Sequence, residues 1–284
     1  MRSLLKPLLA FVALCLGVTS YAQAQSTLYI SGTMHIESNF AHWPDPDDLM
    51  DFFDRLTSRT AMKWSIGADI DWLNNEPRAM EVIVTTSGFG VEWDIHAHDG
   101  PDRAECHALI TAMSGRPTSV ISGLLVDEIA SLRSPLVASD GSSFQPRVLW
   151  GLVLVGGHPI PAADDRAYGL WRPYNAPFWK RHDRTESLIA VGDGHRTLGG
   201  IERFAAALGV GLVGNDEPVT SATVNVAPDT LTVGDTADDV ADIELWANHM
   251  ATLPYVQFAT IRETANAWVA AGSVASRTEF TPLP

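Results

Sequence analysis

From Leu28 onward the chain alternates short apolar runs with segments whose apolar residues recur at helical spacing. Leu28 to Glu37 predicts a first buried strand. Asp45-Pro46 then reads as an N-cap followed by proline at the first helical position. Leu49, Phe52, Phe53 and Leu56 follow at i, i+3, i+4 and i+7, which gives that helix one apolar face. Met62 to Gly67 predicts a second strand. Asn75 and Pro77 predict the opening of a second helix with Met80, Ile83 and Val84 on its inner side. Val91 to His96 predicts a third strand. Asp102 can cap a helix whose stripe is Cys106, Leu109, Ile110 and Met113, ended by Gly115.

The alternation continues in the second half. Val120 to Val126, Val148 to Val155, Leu188 to Val191 and Tyr255 to Ala259 predict further strands. Ile201, Phe204, Ala205 and Leu208 make a helical stripe ended by Gly209. Thr260-Ile261-Arg262-Glu263 matches a capping box before the last helix. Thr220 to Val233 alternates and predicts a hairpin inserted between helices. Strands alternating with helices argue for an α/β fold with a parallel sheet. Seven strands, several of them short, favour a distorted seven-stranded (β/α) barrel over a full eight. Sites in such barrels lie at the C-terminal strand ends.

Candidate chemistry sits at two of those ends. His35-Ile36-Glu37 closes the first strand, and Glu92-Trp93-Asp94-Ile95-His96-Ala97-His98-Asp99 closes the third. Side chains two apart on a strand point the same way, so His35 pairs with Glu37 and His96 with His98. Imidazole and carboxylate are ligands for zinc, iron or manganese, so a divalent metal site built from His35, Glu37, His96 and His98 is expected. The other reading is a set of hydrogen-bonded polar residues lining a cleft.

The N-terminus changes the compartment expected. Arg2 and Lys6 precede an apolar run from Leu8 to Val18, and Ala22-Gln23-Ala24 has the form of a secretory cleavage site. Residues 1–24 therefore read as a signal peptide, and 25–284 as one domain, periplasmic or secreted. Removal takes two of the 19 basic residues and none of the 34 acidic ones, moving the net charge from −15 to −17. With no basic patch, nucleic acid is not an expected partner. A neutral or cationic substrate suits this charge better than an anionic one. Cys15 leaves with the signal, so Cys106 has no intramolecular disulfide partner. No later stretch is apolar enough to span a membrane.

The chain resembles the polysaccharide deacetylase superfamily, the NodB-like group, from about Leu28 to Ala271. Gly90-Val91-Glu92-Trp93-Asp94-Ile95-His96 is similar to the approach to the family's first metal histidine. Trp171-Arg172-Pro173-Tyr174 is similar to its arginine-proline motif. Leu253-Pro254-Tyr255-Val256-Gln257-Phe258, followed by a tryptophan-bearing helix, is a further likeness. The chain departs from the pattern at two places. His35-Ile36-Glu37 replaces an acidic pair, and Gly100 stands where a second metal histidine is expected, with His98 the nearest substitute.

The resemblance implies a NodB-like barrel whose divalent cation is held by a carboxylate and two histidines, acting on an acetylated carbohydrate. It implies Glu37 as metal ligand or base, His96 as the best-matched ligand, and Arg172 as a group that orients the carboxylate or grips substrate. His195, past the strand ending at Val191, is expected near the barrel mouth as an acid or ligand, and His158 stands in a similar setting. Trp93 and Trp171 are expected to stack on sugar, with Trp43, Trp72 and Trp179 as further aromatics. Asp127 and Asp69 follow strands and either line the cleft or cap the next turn. Two alternatives stay open: a metal-free glycosidase pairing Glu37 with Asp127 or Glu92, and a catalytically silent barrel that binds sugar or a periplasmic partner.

Overall fold

A computed structural model describes residues 26–37, 42–98, 100–124, 126–150, 167–192, 197–214, 216–233 and 238–279. The expected signal peptide, His158 and His195 lie outside the described residues. Ten strands form the main sheet: β1 (Thr27–Ile36), β2 (Trp64–Ala68), β3 (Glu92–His96), β4 (Val120–Ser122), β5 (Val148–Trp150), β6 (Leu170–Trp171), β7 (Ile189–Val191), β8 (Val219–Ala227), β9 (Thr232–Val233) and β10 (Val256–Phe258). Their order is β9-β8-β1-β2-β3-β4-β5-β7-β6, with β10 beside the first half of β1. From β8 through β7 the seven neighbouring strands are parallel, and β6 and β9 are antiparallel additions. The sheet curls into a half-barrel. Its two sides approach where Gly169, just before β6, donates its N–H to Ser221 O in β8 at 3.1 Å.

Among the described residues seven α-helices accompany the sheet: α1 (Pro46–Arg59), α2 (Ile70–Asn75), α3 (Ala79–Gly88), α4 (Gly100–Ser114), α5 (Leu198–Gly209), α6 (Val240–Met250) and α7 (Ile261–Ala270). Period-two alternation divides the strand residues between two apolar layers. Ile30, Met34, Trp64, Ile66, Ile95 and Ile121 face the helices and join Phe53, Ile83 and Ile110. Val148, Trp150, Ile189, Val191 and Val219 face the other way, onto Ile261, Ala265 and Trp268 of α7. The Asp45 cap of α1 and the Thr260–Glu263 capping box of α7 both form. No helix among the described residues is long and apolar enough to cross a membrane.

Four expectations are corrected. Thr220 to Val233 is not an inserted hairpin alone: β8 pairs in parallel with β1 from Thr27↔Val219 to Met34↔Val226, and only its end turns back to β9. Ser221 and Thr223 are polar yet buried, so the alternation reflects two buried faces rather than one wet face. Asn75 ends α2 rather than opening α3. The inner face of α3 is Ala79, Val82, Ile83 and Thr86, while Met80 and Val84 are exposed. Finally, β4 stops at Ser122, because Gly123 turns the chain with φ of +73° and residues 126–133 form a 3-10 helix.

Candidate metal centre

β1 and β3 are separated by β2 and end at the same edge of the sheet. β1 carries His35 and is followed at once by Glu37, and β3 ends on His96. What lets these side chains meet across β2 is Gly67. It pairs with His35 on one side and Asp94 on the other. A Cβ built on Gly67 would lie 2.9 Å from His96 Cβ, 3.0 Å from Ser122 Oγ and 3.3 Å from His35 Cδ2. The missing side chain is the space into which the two imidazoles lean, and their ring centroids are 4.1 Å apart. The indole of Trp150 backs His35 at 4.4 Å.

Glu37 is the centre of the cluster. Its Oε1 is 3.2 Å from His96 Nε2 and 3.7 Å from His35 Nδ1, and its Oε2 is 3.1 Å from His98 Nε2. His96 Nε2 and His98 Nε2 are 3.2 Å apart. His35, Glu37 and His96 are buried, whereas 57% of the His98 side chain is exposed. Burial alone would raise the Glu37 carboxyl. Hydrogen bonds from His96 and His98, and the nearby His96 and His35, outweigh it and hold the group far below the usual carboxylate range. The hydrogen bond to Glu37 raises His98, against its partial burial.

This donor set fits a divalent cation. His35, Glu37 and His96 each offer a ligand atom, and all three atoms lie within 4.8 Å of one another. A deprotonated carboxylate in a buried pocket of imidazoles is the ligand chemistry of zinc, iron or manganese. His98 stands beside this trio at its solvent side.

Of the other expected site residues that the structure describes, Asp69 is near enough for its charge to raise His98, and the rest are engaged elsewhere. Trp93 points to the helix side of the sheet, stacks on Trp72 at 5.3 Å with rings 6° from parallel, and donates to Thr86 Oγ1. Trp171 is fully buried and donates to Trp179 O. Arg172 donates to the carbonyls of Glu186 and Ser187, and its guanidinium lies 5.5 Å from the Trp268 ring centre. Asp127 is exposed in the first turn of the 3-10 helix. Asp69 accepts from Trp72 N and caps α2. Glu92 opens β3 and pairs with Arg262 Nε at 2.6 Å. It therefore lies roughly 13 Å along the strand from His96, too far for a two-carboxylate pair with Glu37.

Sequence reasoning missed Gly67, Ser122 and Trp150. Ser122 carried a usable signal, since a polar residue ending an apolar run is the feature that singled out Glu37.

No family model matches the sequence, and no curated protein does so either. Solved structures do match. The Puue allantoinase aligns with TM-score 0.52 and 12% identity over 89% of this chain and 93% of its own. A protein assigned as a polysaccharide deacetylase from Mycobacterium smegmatis aligns with TM-score 0.53 and 12% identity over 92% and 96%. Another so assigned, from Pseudomonas aeruginosa PAO1, aligns with TM-score 0.53 and 10% identity over 88% and 93%. The likeness is one of fold: this chain shares the α/β fold of these three solved structures.

Proposed function

We propose that the chain is an exported hydrolase that removes an acetyl group from an N- or O-acetylated glycan with the help of a divalent cation, zinc first among the candidates. One observation carries this reading: His35, Glu37 and His96 converge at the C-terminal edge of a parallel sheet, where barrels of this kind hold their sites. When bound, the ion polarises the acetyl carbonyl and lowers the pKa of a water. His35, Glu37 and His96 would hold it.

Each protein group has a distinct task. Glu37 stays deprotonated and so keeps its oxygens available as ligand atoms. His98 is the cluster's solvent-facing member, and its Nε2 is held toward the protonated state by Glu37. It is the group suited to deliver a proton to the departing amine or alkoxide. His195, four residues beyond β7 in sequence, is a second candidate for that proton. The chain's acidity favours a neutral or cationic glycan over an anionic one.

The test joins metal analysis to acetate release. The protein, purified without chelator, is expected to hold about one zinc, iron or manganese ion. It should release acetate from an acetylated chito-oligosaccharide or an acetylated xylan. Chelation and Glu37→Gln should each abolish release. Acetate release that survives chelation, or no uptake of any of the three ions, would overturn the proposal.

A further inference from the structure

We propose that Ser122 is the positioning residue that fixes the tautomer of His96, and thereby the nitrogen that His96 turns toward the cluster. This rests on the metal-site reading above and adds a residue to it.

Ser122 is fully buried, and its hydroxyl has one proton to give. Oγ donates it to Ile95 O at 3.2 Å. The same Oγ lies 2.9 Å from His96 Nδ1. With its proton committed to Ile95, Ser122 can only accept from His96, so Nδ1 carries a hydrogen. Nε2, which hydrogen-bonds Glu37 in the metal-free cluster, is then the nitrogen whose lone pair a cation takes up in exchange for that hydrogen. A hydrogen bond to one ring nitrogen settles what the other can do.

The backbone around the pair is built to hold this contact. The guanidinium of Arg103, itself buried, donates to Ala97 O at 3.0 Å and Gly123 O at 3.3 Å, the residues that follow His96 and Ser122. Glu128 grips the same guanidinium with both oxygens, at 2.7 and 3.0 Å. At Gly123 a Cβ would lie 2.8 Å from Ala97 O and 3.1 Å from His96 Cε1, so the two strand ends approach as closely as a glycine permits. Strand ends clamped in this way hold the ring of His96 against Ser122.

The experiment uses the full mature chain with nitrogen-15-labelled histidine. In metal-free wild type, His96 Nδ1 should carry a proton in slow exchange with water. In Ser122→Ala that proton should exchange at least about tenfold faster, because its acceptor is gone. Zinc affinity, read by competition with a chromophoric chelator, should fall about 10- to 100-fold in Ser122→Ala and be largely retained in Ser122→Thr, which keeps the hydroxyl. A role confined to stability would lower the melting midpoint without changing Nδ1 exchange. An unprotonated Nδ1 in wild type, or identical Nδ1 exchange in wild type and Ser122→Ala, would overturn the assignment. Absence of zinc binding with the Nδ1 proton intact would instead remove the hydrolase reading and leave the role of Ser122 standing.

Discussion

His98 Nε2 stands 3.1 Å from Glu37 Oε2, although Glu37 is buried and His98 reaches solvent. The pair gives the metal-free protein one of its pH responses. Glu37 is lowered by folding, so its contribution is present above the unfolded carboxylate value of about 4.3 and is lost as pH falls toward its folded value. His98 is raised by folding, mainly through its hydrogen bond to Glu37. Its contribution is therefore complete below about 6.5 and is lost as pH rises through the folded value. Urea midpoints measured with chelator should differ between wild type and His98→Ala more at pH 6 than at pH 9. The exposure of His98 keeps the difference below about 1 kcal/mol. An equal difference at both pH values would contradict the coupling.

Asp94 responds in the opposite sense. It is fully buried on the strand that ends in His96 and accepts from Thr118 Oγ1 at 2.8 Å. Burial raises it well above the ordinary aspartate range, and the neighbouring Glu92 raises it further. The folded state thus keeps a proton that the unfolded chain gives up. Stability attributable to this group is greatest below about pH 3.9 and declines as pH rises toward the folded value. Asp94→Asn keeps an oxygen for Thr118 and cannot ionise. The variant should gain on the order of 1–2 kcal/mol at pH 8 and less at pH 5, by denaturant titration. Loss of stability at pH 8 would show that the charged carboxylate is wanted.

Gly67→Ala tests the space between the imidazoles. The added methyl meets His96 Cβ at 2.9 Å and Ser122 Oγ at 3.0 Å, both on strands held by their own ladders. Overpacking of this kind costs about 1–3 kcal/mol. Metal affinity should fall together with the melting midpoint. Wild-type zinc affinity in a folded Gly67→Ala protein would mean that the histidines converge without needing this gap.

Much of the sheet was legible because its signal is local. Buried strand cores at Leu28, Ile66, Ile95 and Leu149, and the caps at Asp45 and Thr260, follow from alternation and from single side-chain hydrogen bonds. His35, Glu37, His96 and His98 were legible because each lies at or just past a strand end, two residues from a partner. What local pattern could not carry is which face a residue takes when both faces are buried. Thr220–Val233 was misread for that reason: Ser221 and Thr223 look solvated but face the interior. The same ambiguity assigned Trp93 and Trp171 to a cleft, since an indole at a strand end suits a sugar or a core equally. Gly67 was invisible as a site residue because its role depends on strands β1 and β3, contributed by distant parts of the chain.

The placement of Trp93 makes a further distinction measurable. Trp93 and His96 are three residues apart on one strand, so they occupy opposite faces. The structure bears this out: Trp93 is buried against Trp72 and Thr86, while His96 faces Glu37. Trp93→Phe keeps an aromatic ring on Trp72 but removes the indole donor to Thr86 Oγ1. The fold should lose about 1–3 kcal/mol, because the buried Thr86 hydroxyl loses the indole donor while still donating to Val82 O, and the core loses volume. Nothing on the cluster side of the sheet changes. For the acetyl-releasing reaction proposed above, KM and kcat of Trp93→Phe should both stay within about twofold of wild type at temperatures well below its melting midpoint. His98→Ala should instead lower kcat by about 100-fold or more through loss of the proton carrier. A several-fold rise in KM for folded Trp93→Phe, with kcat unchanged, would mean that substrate binding reaches the helix side of β3, and the assignment of Trp93 to the core would have to be withdrawn.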